Sequence, residues 1–465
     1  MSTPRKNIVL IVADQLSAKA LRAYGNTDSC TPAVDELIRN GTSLENCCTA
    51  CPLCQPSRAA FWTSRWPHEL EVESNGRNWP VKAVGKNIPT LGERFSKAGY
   101  EAVHFGKRHD AGALRGFSCG EETTEPFTGE AGLFLNDDSF EDRATSRAAQ
   151  EYLRTRCSSK PLLLAVDFVN PHNICGWVGR HTEHGDGLPE GMKLPPLPEN
   201  FDFPDIANRP RAVQYICCSH VRQAQAAGWT TDDFRQYLAA YYAYLAMVDE
   251  EIGAVLKAAK ETLDPENTVY VFFSDHGDSM AARGRVTKQV DFYEEVACVP
   301  LAFCGAGIPQ GKRIKGVASL LDIFPTLCEL AELPIPDGVR GVSLKKCIFE
   351  EKEAAPLYAA SEWRTEWGYT VSPGRMIRTE HWKYIAYVED HAEELYDLQT
   401  DPGETKNLAY MLEYQQRLAE MQMLLKKQLA DTADPFWSLP VSADLRWRTH
   451  AVGYANHKGV AAPQA

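Results

Sequence analysis

Ile8-Val9-Leu10-Ile11-Val12-Ala13 is an unbroken apolar run, mostly β-branched, that stops abruptly at Asp14-Gln15. A strand with one wet face alternates apolar and polar residues. A run without alternation fits a strand covered on both faces, as in a largely parallel sheet flanked by helices. Leu162-Leu163-Leu164-Ala165-Val166-Asp167-Phe168-Val169 and Thr268-Val269-Tyr270-Val271-Phe272-Phe273 have the same character. They end in Asn170-Pro171-His172 and in Ser274-Asp275-His276-Gly277-Asp278. Between the runs lie helical stretches, for example 234–257, with Leu238, Tyr241, Tyr242, Leu245, Val248 and Ile252 at helical spacing. The alternation predicts an α/β domain, and ligands in such sheets bind at the carboxyl ends of strands. The three polar clusters are therefore expected to converge on one site.

Residues 170 to 232 are rich in Pro, Gly, His and Trp, show little periodicity, and read as long loops forming a wall of a substrate cleft. After about residue 350 the texture changes. Met376-Ile377-Arg378-Thr379 and 382–388 look like short antiparallel strands, followed by a turn at Asp401-Pro402-Gly403 and an amphipathic helix from Tyr410 to Leu429. The expected organisation is a larger domain over residues 1–350 and a smaller α+β domain over 351–465.

The chain has 465 residues, of which 44% are hydrophobic and 24% charged, as in a soluble globular protein. Its net charge is −13, from 62 Asp+Glu against 49 Lys+Arg, which argues against nucleic acid or an anionic membrane as a partner. The first apolar run is too short for a signal h-region or a bilayer span, and no later stretch is long enough to span. The expectation is a cytoplasmic protein, or a periplasmic one if an export signal has been removed. The 14 cysteines, some adjacent (Cys47-Cys48, Cys217-Cys218), fit reduced thiols better than a disulfide framework.

Cys48, Cys51 and Cys54 have iron-sulfur spacing, but Arg58 stands where the fourth ligand should be, and a cluster is disfavoured. Cys47, Cys48 and Cys51 read as buried structural thiols. Cys54 differs because Gln55-Pro56-Ser57-Arg58-Ala59-Ala60-Phe61-Trp62 follows it. Pro56 suits a first helical turn, so Cys54 lies at a helix N-terminus, where free N–H groups and the dipole favour an anion. Arg58, one turn on, can return toward the same point as a planar cation for sulfate or phosphate.

Cys54-Gln55-Pro56-Ser57-Arg58 resembles the signature by which sulfatases of the alkaline-phosphatase superfamily convert cysteine to formylglycine. Other segments share the resemblance, which spans residues 7 to about 410. Asp14-Gln15 is similar to the first pair of metal ligands, with Gln15 in place of the more usual second Asp. Lys107-Arg108-His109 resembles the segment in which a Lys and a His bind the sulfate, with Arg108 replacing a Trp. His172 matches a His at the sulfate, Asp275 and His276 the second pair of ligands, and Lys288 a Lys at the bridging oxygen.

The resemblance implies an α/β/α sandwich with a smaller C-terminal domain, and hydrolysis of a sulfate ester. The hydrated aldehyde formed from Cys54 would attack sulfur. One divalent metal, Ca²⁺ before Mg²⁺, would be held by Asp14, Gln15, Asp275, His276 and position 54. Lys107 and Lys288 would offset developing charge, Arg58 would stabilise the hydrate and help hold the metal-side geometry, and His109 or His172 would move a proton. A formylglycine-generating enzyme is the implied maturation partner. The expected substrate is a small sulfated saccharide, such as a glycosaminoglycan or mucin fragment. The alternatives are an aryl or choline sulfate, a phosphonate or phosphate (di)ester, or a binding role if Cys54 stays unmodified. Taken singly, Asp14 reads as a helix cap, Lys107 as a surface charge, and His109 and His172 as structural histidines; shared order and spacing lift them. His68 and His104 stay structural. Trp177, Arg180, His181, Glu362, Trp363, Arg364 and Trp367 are candidate substrate contacts for which a structural role weighs at least equally.

Overall fold

In the computed structural model the three apolar runs become adjacent strands. It describes residues 5–76, 81–119, 140–185, 188, 191–202, 209–214, 221–288, 291–350, 355–364 and 372–441. β1 (Asn7–Asp14) lies between β5 (Leu162–Pro171) and β6 (Thr268–Ser274), parallel to both, with Val9 opposite Leu164 and Tyr270. Outside β5 lie β3 (Glu101–Gly106) and β4 (Ser118–Cys119); outside β6 lie β7 (Cys298–Gly305), β2 (Gly41–Cys48) and β8 (Lys312–Ser319). β7 runs antiparallel to both neighbours, whereas every other pairing in this sheet is parallel.

Alternate residues of the central strands enter two separate cores. Val9, Ile11 and Ala13 pack with Leu164, Val166 and Phe272 beneath the helices Pro32–Arg39 and Thr231–Thr262. Ile8, Leu10 and Val12 pack with Leu163, Val271 and Phe273 beneath the helices Cys54–Thr63 and Ile323–Leu330. Each strand thus buries apolar side chains on both faces, the physical reason its sequence does not alternate. The result is the expected α/β/α sandwich. No helix among the described residues is long and apolar enough to cross a membrane.

A second, antiparallel sheet has the order β12-β11-β10-β9, from β9 (Ala359–Trp363), β10 (Gly374–Arg378), β11 (Trp382–Tyr387) and β12 (Glu393–Asp397). The helix Gln415–Thr432 covers it through Leu418, Met421, Leu425 and Leu429. It joins the larger sheet through buried charge. Lys383 Nζ lies 2.8 Å and Arg378 Nη2 3.1 Å from Glu294, and Arg283 Nη2 lies 3.6 Å from Glu404.

The expectation of loops across 170–232 needs correction, because Ile174–His184 is a helix. Ile174, Trp177, Val178 and His181 follow the i, i+3, i+4, i+7 pattern and are buried, with the Trp177 and His181 rings stacked 4.5 Å apart. High Gly and His content hid that short periodicity.

Candidate active site

Sheet polarity puts Asp14, Asp275, His276, Lys107 and His172 near the carboxyl ends of β1, β6, β3 and β5. The three polar clusters do converge. Cys54 begins its helix after the extended residue Leu53, and Pro56 occupies the first turn without needing a donor. Ser57 Oγ donates to the Asp275 carbonyl at 2.7 Å and lies 2.9 Å from Thr49 Oγ1, anchoring the helix start against β6. Phe61 meets Phe273 edge-on at 5.1 Å and holds the next turn down.

Cys54 Sγ stands 3.1 Å from His276 Nε2 and 3.8 Å from Asp14 Oδ1. Ligand atoms of Asp14, Cys54, Asp275 and His276 lie within 4.8 Å of one another, and all four residues are buried. Burial and then Asp14 push the Asp275 carboxyl up. Burial opposes protonation of His276, but Asp275 and Cys54 outweigh it and raise the ring above its ordinary value. A proton is drawn to the place where the donor set would accept a cation, so these residues fit a divalent metal. Asp14 is different: burial and Cys54 push it up, yet Lys107, His172 and Arg58 hold it well below the usual carboxylate range.

Arg58 spans the floor of the site. Its Nη2 bonds Asp14 Oδ2 at 2.9 Å, Nη1 bonds Asp167 Oδ2 at 2.6 Å, and Nε bonds Asp275 Oδ2 at 2.9 Å. All three bonds hold carboxylates on β1, on β5 and just past β6, which fits the expected metal-side role of Arg58 and turns its guanidinium to these carboxylates instead of leaving it open to a sulfate. Asp167 was missed as a site residue, although a lone Asp inside a buried apolar run was a usable signal.

Above the floor sit the cations. Lys107 Nζ donates to Asp14 Oδ2, and Lys288 Nζ to Gln15 Oε1 at 2.8 Å. Burial pushes the Cys54 thiol up, but Lys288, Lys107 and His276 outweigh it and hold it well below the ordinary thiol range. His109 and His172 both lie close enough to Cys54 to interact with it electrostatically. Burial, then Lys288 and Lys107, push His172 down to about 4, so its ring is neutral at pH 7. An anion at position 54 is thus favoured by the cations around it, against burial and the neighbouring carboxylates of Asp14 and Asp275. Gln15, expected as a ligand, donates Nε2 to Asp278 Oδ2 at 2.7 Å. Asp278 is a second residue missed by sequence reasoning.

Cys48 and Cys51 pack in an apolar cluster with Phe292 and Tyr293. Among the described residues they form no ligand group with Cys54. His104 is buried 3.6 Å from Asp167. His68 bonds Glu362 at 2.6 Å and the Thr432 carbonyl at 3.2 Å, so both keep structural roles and Glu362 joins them. Trp177 is core, His181 pairs with Asp233 at 3.0 Å, Arg180 bonds the Tyr244 hydroxyl, and Trp363 donates to the Ser372 carbonyl. Arg364 is half-buried, and Trp367 lies outside the described residues.

The family model described as Sulfatase matches residues 6–333, and that of the N-sulphoglucosamine sulphohydrolase C-terminal region matches 287–434. The chain is 43% identical over 459 residues to a Delta 4,5-hexuronate-2-O-sulfatase of Bacteroides thetaiotaomicron, covering 98% of this chain and 95% of that one. A solved structure of a 2-O GAG sulfatase superposes with a TM-score of 0.90 at 43% identity, over 98% of this chain and 99% of that one. Human Arylsulfatase K is 27% identical over 444 residues, 87% of this chain and 78% of its own.

Proposed function

The chain belongs to the sulfatase family, a sulfuric ester hydrolase, and we propose that it removes a 2-O-sulfate from a hexuronate in a small glycosaminoglycan fragment. The observation that carries this reading is 43% identity to a hexuronate-2-O-sulfatase along nearly the full length of both chains. The site geometry supports the same chemistry, since a sulfate ester is an anion and meets Lys107, Lys288 and two histidines around position 54.

Asp14, Gln15, Asp275 and His276, with position 54, would hold one divalent cation, calcium before magnesium. That cation would lower the pKa of the attacking oxygen and offset charge on the sulfate. Cys54 is proposed to be matured to formylglycine, whose hydrate offers an oxygen nucleophile in place of a thiol. The local field supports this because it stabilises an anion there. Arg58 orients Asp14 and Asp275 and favours the ionised form of both. Lys107 covers the Asp14 side, and Lys288 the Gln15 side, where charge builds on the departing oxygen. His172, held neutral, is the proton acceptor beside position 54. Maturation requires a formylglycine-generating enzyme, and a cytoplasmic location would supply imported oligosaccharides as substrate.

The test is a panel of unsaturated disaccharides carrying 2-O-, 6-O- or N-sulfate, with products read by mass. Release of the uronate 2-O-sulfate alone is expected; release from another position with the 2-O-sulfate untouched would overturn the substrate. A matching phosphate ester should turn over far more slowly. The Cys54 peptide should be lighter than its cysteine form by roughly 18 Da, the covalent signature of maturation.

A further inference from the structure

Gln15 is held more tightly than a ligand alone would need. Its φ is 66°, a left-handed conformation rare outside glycine. Its N–H donates to Asp275 Oδ1 at 3.1 Å, and its carbonyl accepts the Tyr241 hydroxyl at 2.7 Å. The amide Nε2 donates to Asp278 Oδ2 at 2.7 Å, while Oε1 accepts from Lys288 at 2.8 Å and from the Cys175 thiol at 3.4 Å. Gln15 and Asp278 are both fully buried.

Asp278 has no freedom to turn either. Its Oδ1 accepts the Tyr237 hydroxyl and the Met280 N–H at 2.8 Å, and the Tyr237 hydroxyl in turn accepts the Thr287 N–H at 2.7 Å. A carboxylate presents only acceptors, so the atom facing it from position 15 must be a donor. That places the amide oxygen on the opposite side, toward Lys288 and the catalytic pocket. A carboxylate at position 15 would meet the Asp278 oxygen at the present 2.7 Å separation, acceptor against acceptor.

We infer that Asp278 is the positioning residue of the metal site: it fixes the Gln15 amide oxygen-first, and it supplies from behind that amide the negative charge Gln15 lacks. The carboxylate has been moved one residue outward, and the pair acts as a unit. This rests on the metal reading above for its consequence, but the pairing itself is a property of the metal-free protein.

The test exchanges the two groups. Asp278→Asn keeps Tyr237 and Met280 on its oxygen and turns an NH2 toward Gln15, which must flip and aim its own NH2 at Lys288. Calcium affinity, measured by titration calorimetry with the metal alone, is expected to fall about 10- to 100-fold. Gln15→Glu puts two buried carboxylates in contact, and the metal-free protein should melt lower. Combining Gln15→Glu with Asp278→Asn restores shape, hydrogen bond and total charge, so calcium affinity and metal-free melting should both return to near wild type. Losses that simply add in the double variant would overturn the inference. If the wild type binds neither calcium nor magnesium, the metal reading fails, and the melting series still decides the pairing: recovery supports it and additive loss refutes it.

Discussion

Arg58→Lys keeps the charge on the floor of the site and removes its geometry. The guanidinium bonds three carboxylates on three adjacent strands at 2.6 to 2.9 Å, and its side chain is 1% exposed. A single ammonium on a lysine stem cannot reach Asp14, Asp167 and Asp275 together, so at least one buried carboxylate loses its partner. Each hydrogen bond to a charged group contributes about 1.5–3 kcal/mol, and breaking a buried ion pair costs about 3–5 kcal/mol. The expected destabilisation is therefore about 3–5 kcal/mol. With about 2.1 cal/mol/K of unfolding entropy per residue, a chain this long loses about 1 °C of Tm per kcal/mol, or about 3–5 °C in all. Urea unfolding in chelating buffer gives the free energy, and calorimetry gives the Tm. Calcium should narrow the gap, because a cation between Asp14 and Asp275 takes over part of the lost compensation. A variant within about 1 kcal/mol of wild type without metal would refute the reasoning, since that is below the cost of one such bond.

Chelation should lower the Tm, and calcium at a hundred times its Kd should restore about 2.7 kcal/mol; identical melting with and without metal would contradict the proposed site. Lys288→Met should lower kcat about 10²- to 10³-fold on a 2-O-sulfated disaccharide, and an unchanged kcat would remove Lys288 from the leaving-group side. His68 offers a pH test: burial lowers its pKa, but Glu362 outweighs that and raises it to about 9. A raised histidine contributes in full below its unfolded value of 6.5 and loses that contribution as pH climbs through 9. Wild type should lose up to about 3 kcal/mol across that window relative to His68→Gln, and parallel pH profiles would rule the pairing out.

The sandwich was legible because burial on both faces leaves a mark on every residue of β1, β5 and β6. Asp14, His172, Asp275 and His276 were legible for a related reason, since each ends or directly follows such a strand, while Cys54 starts a helix. What stayed hidden depends on partners far away in the chain. Asp167 matters because Arg58, 109 residues earlier, reaches it, and Asp278 because Gln15, 263 residues earlier, donates to it. The same cause hid how Arg58 is engaged: a cation one turn past a nucleophile looks free to meet a substrate until three carboxylates are seen around it. The 174–184 helix was missed because its buried face itself includes Gly179 and His181, which blur the apolar spacing.

The reversal of β7 has a consequence for how such a pocket can change. A strand parallel to β6 would oblige the intervening chain to cross to the far end of the sheet before returning. Because β7 runs the other way, the segment from Asp275 to Ala297 leaves and re-enters the sheet at the same end. His276, Asp278 and Lys288 therefore sit on a connection that starts and ends at the pocket end of the sheet. Changes at these residues act on the pocket directly, because both strand ends of the connection face it. The recognition surface can diverge while the framework beneath it stays as it is.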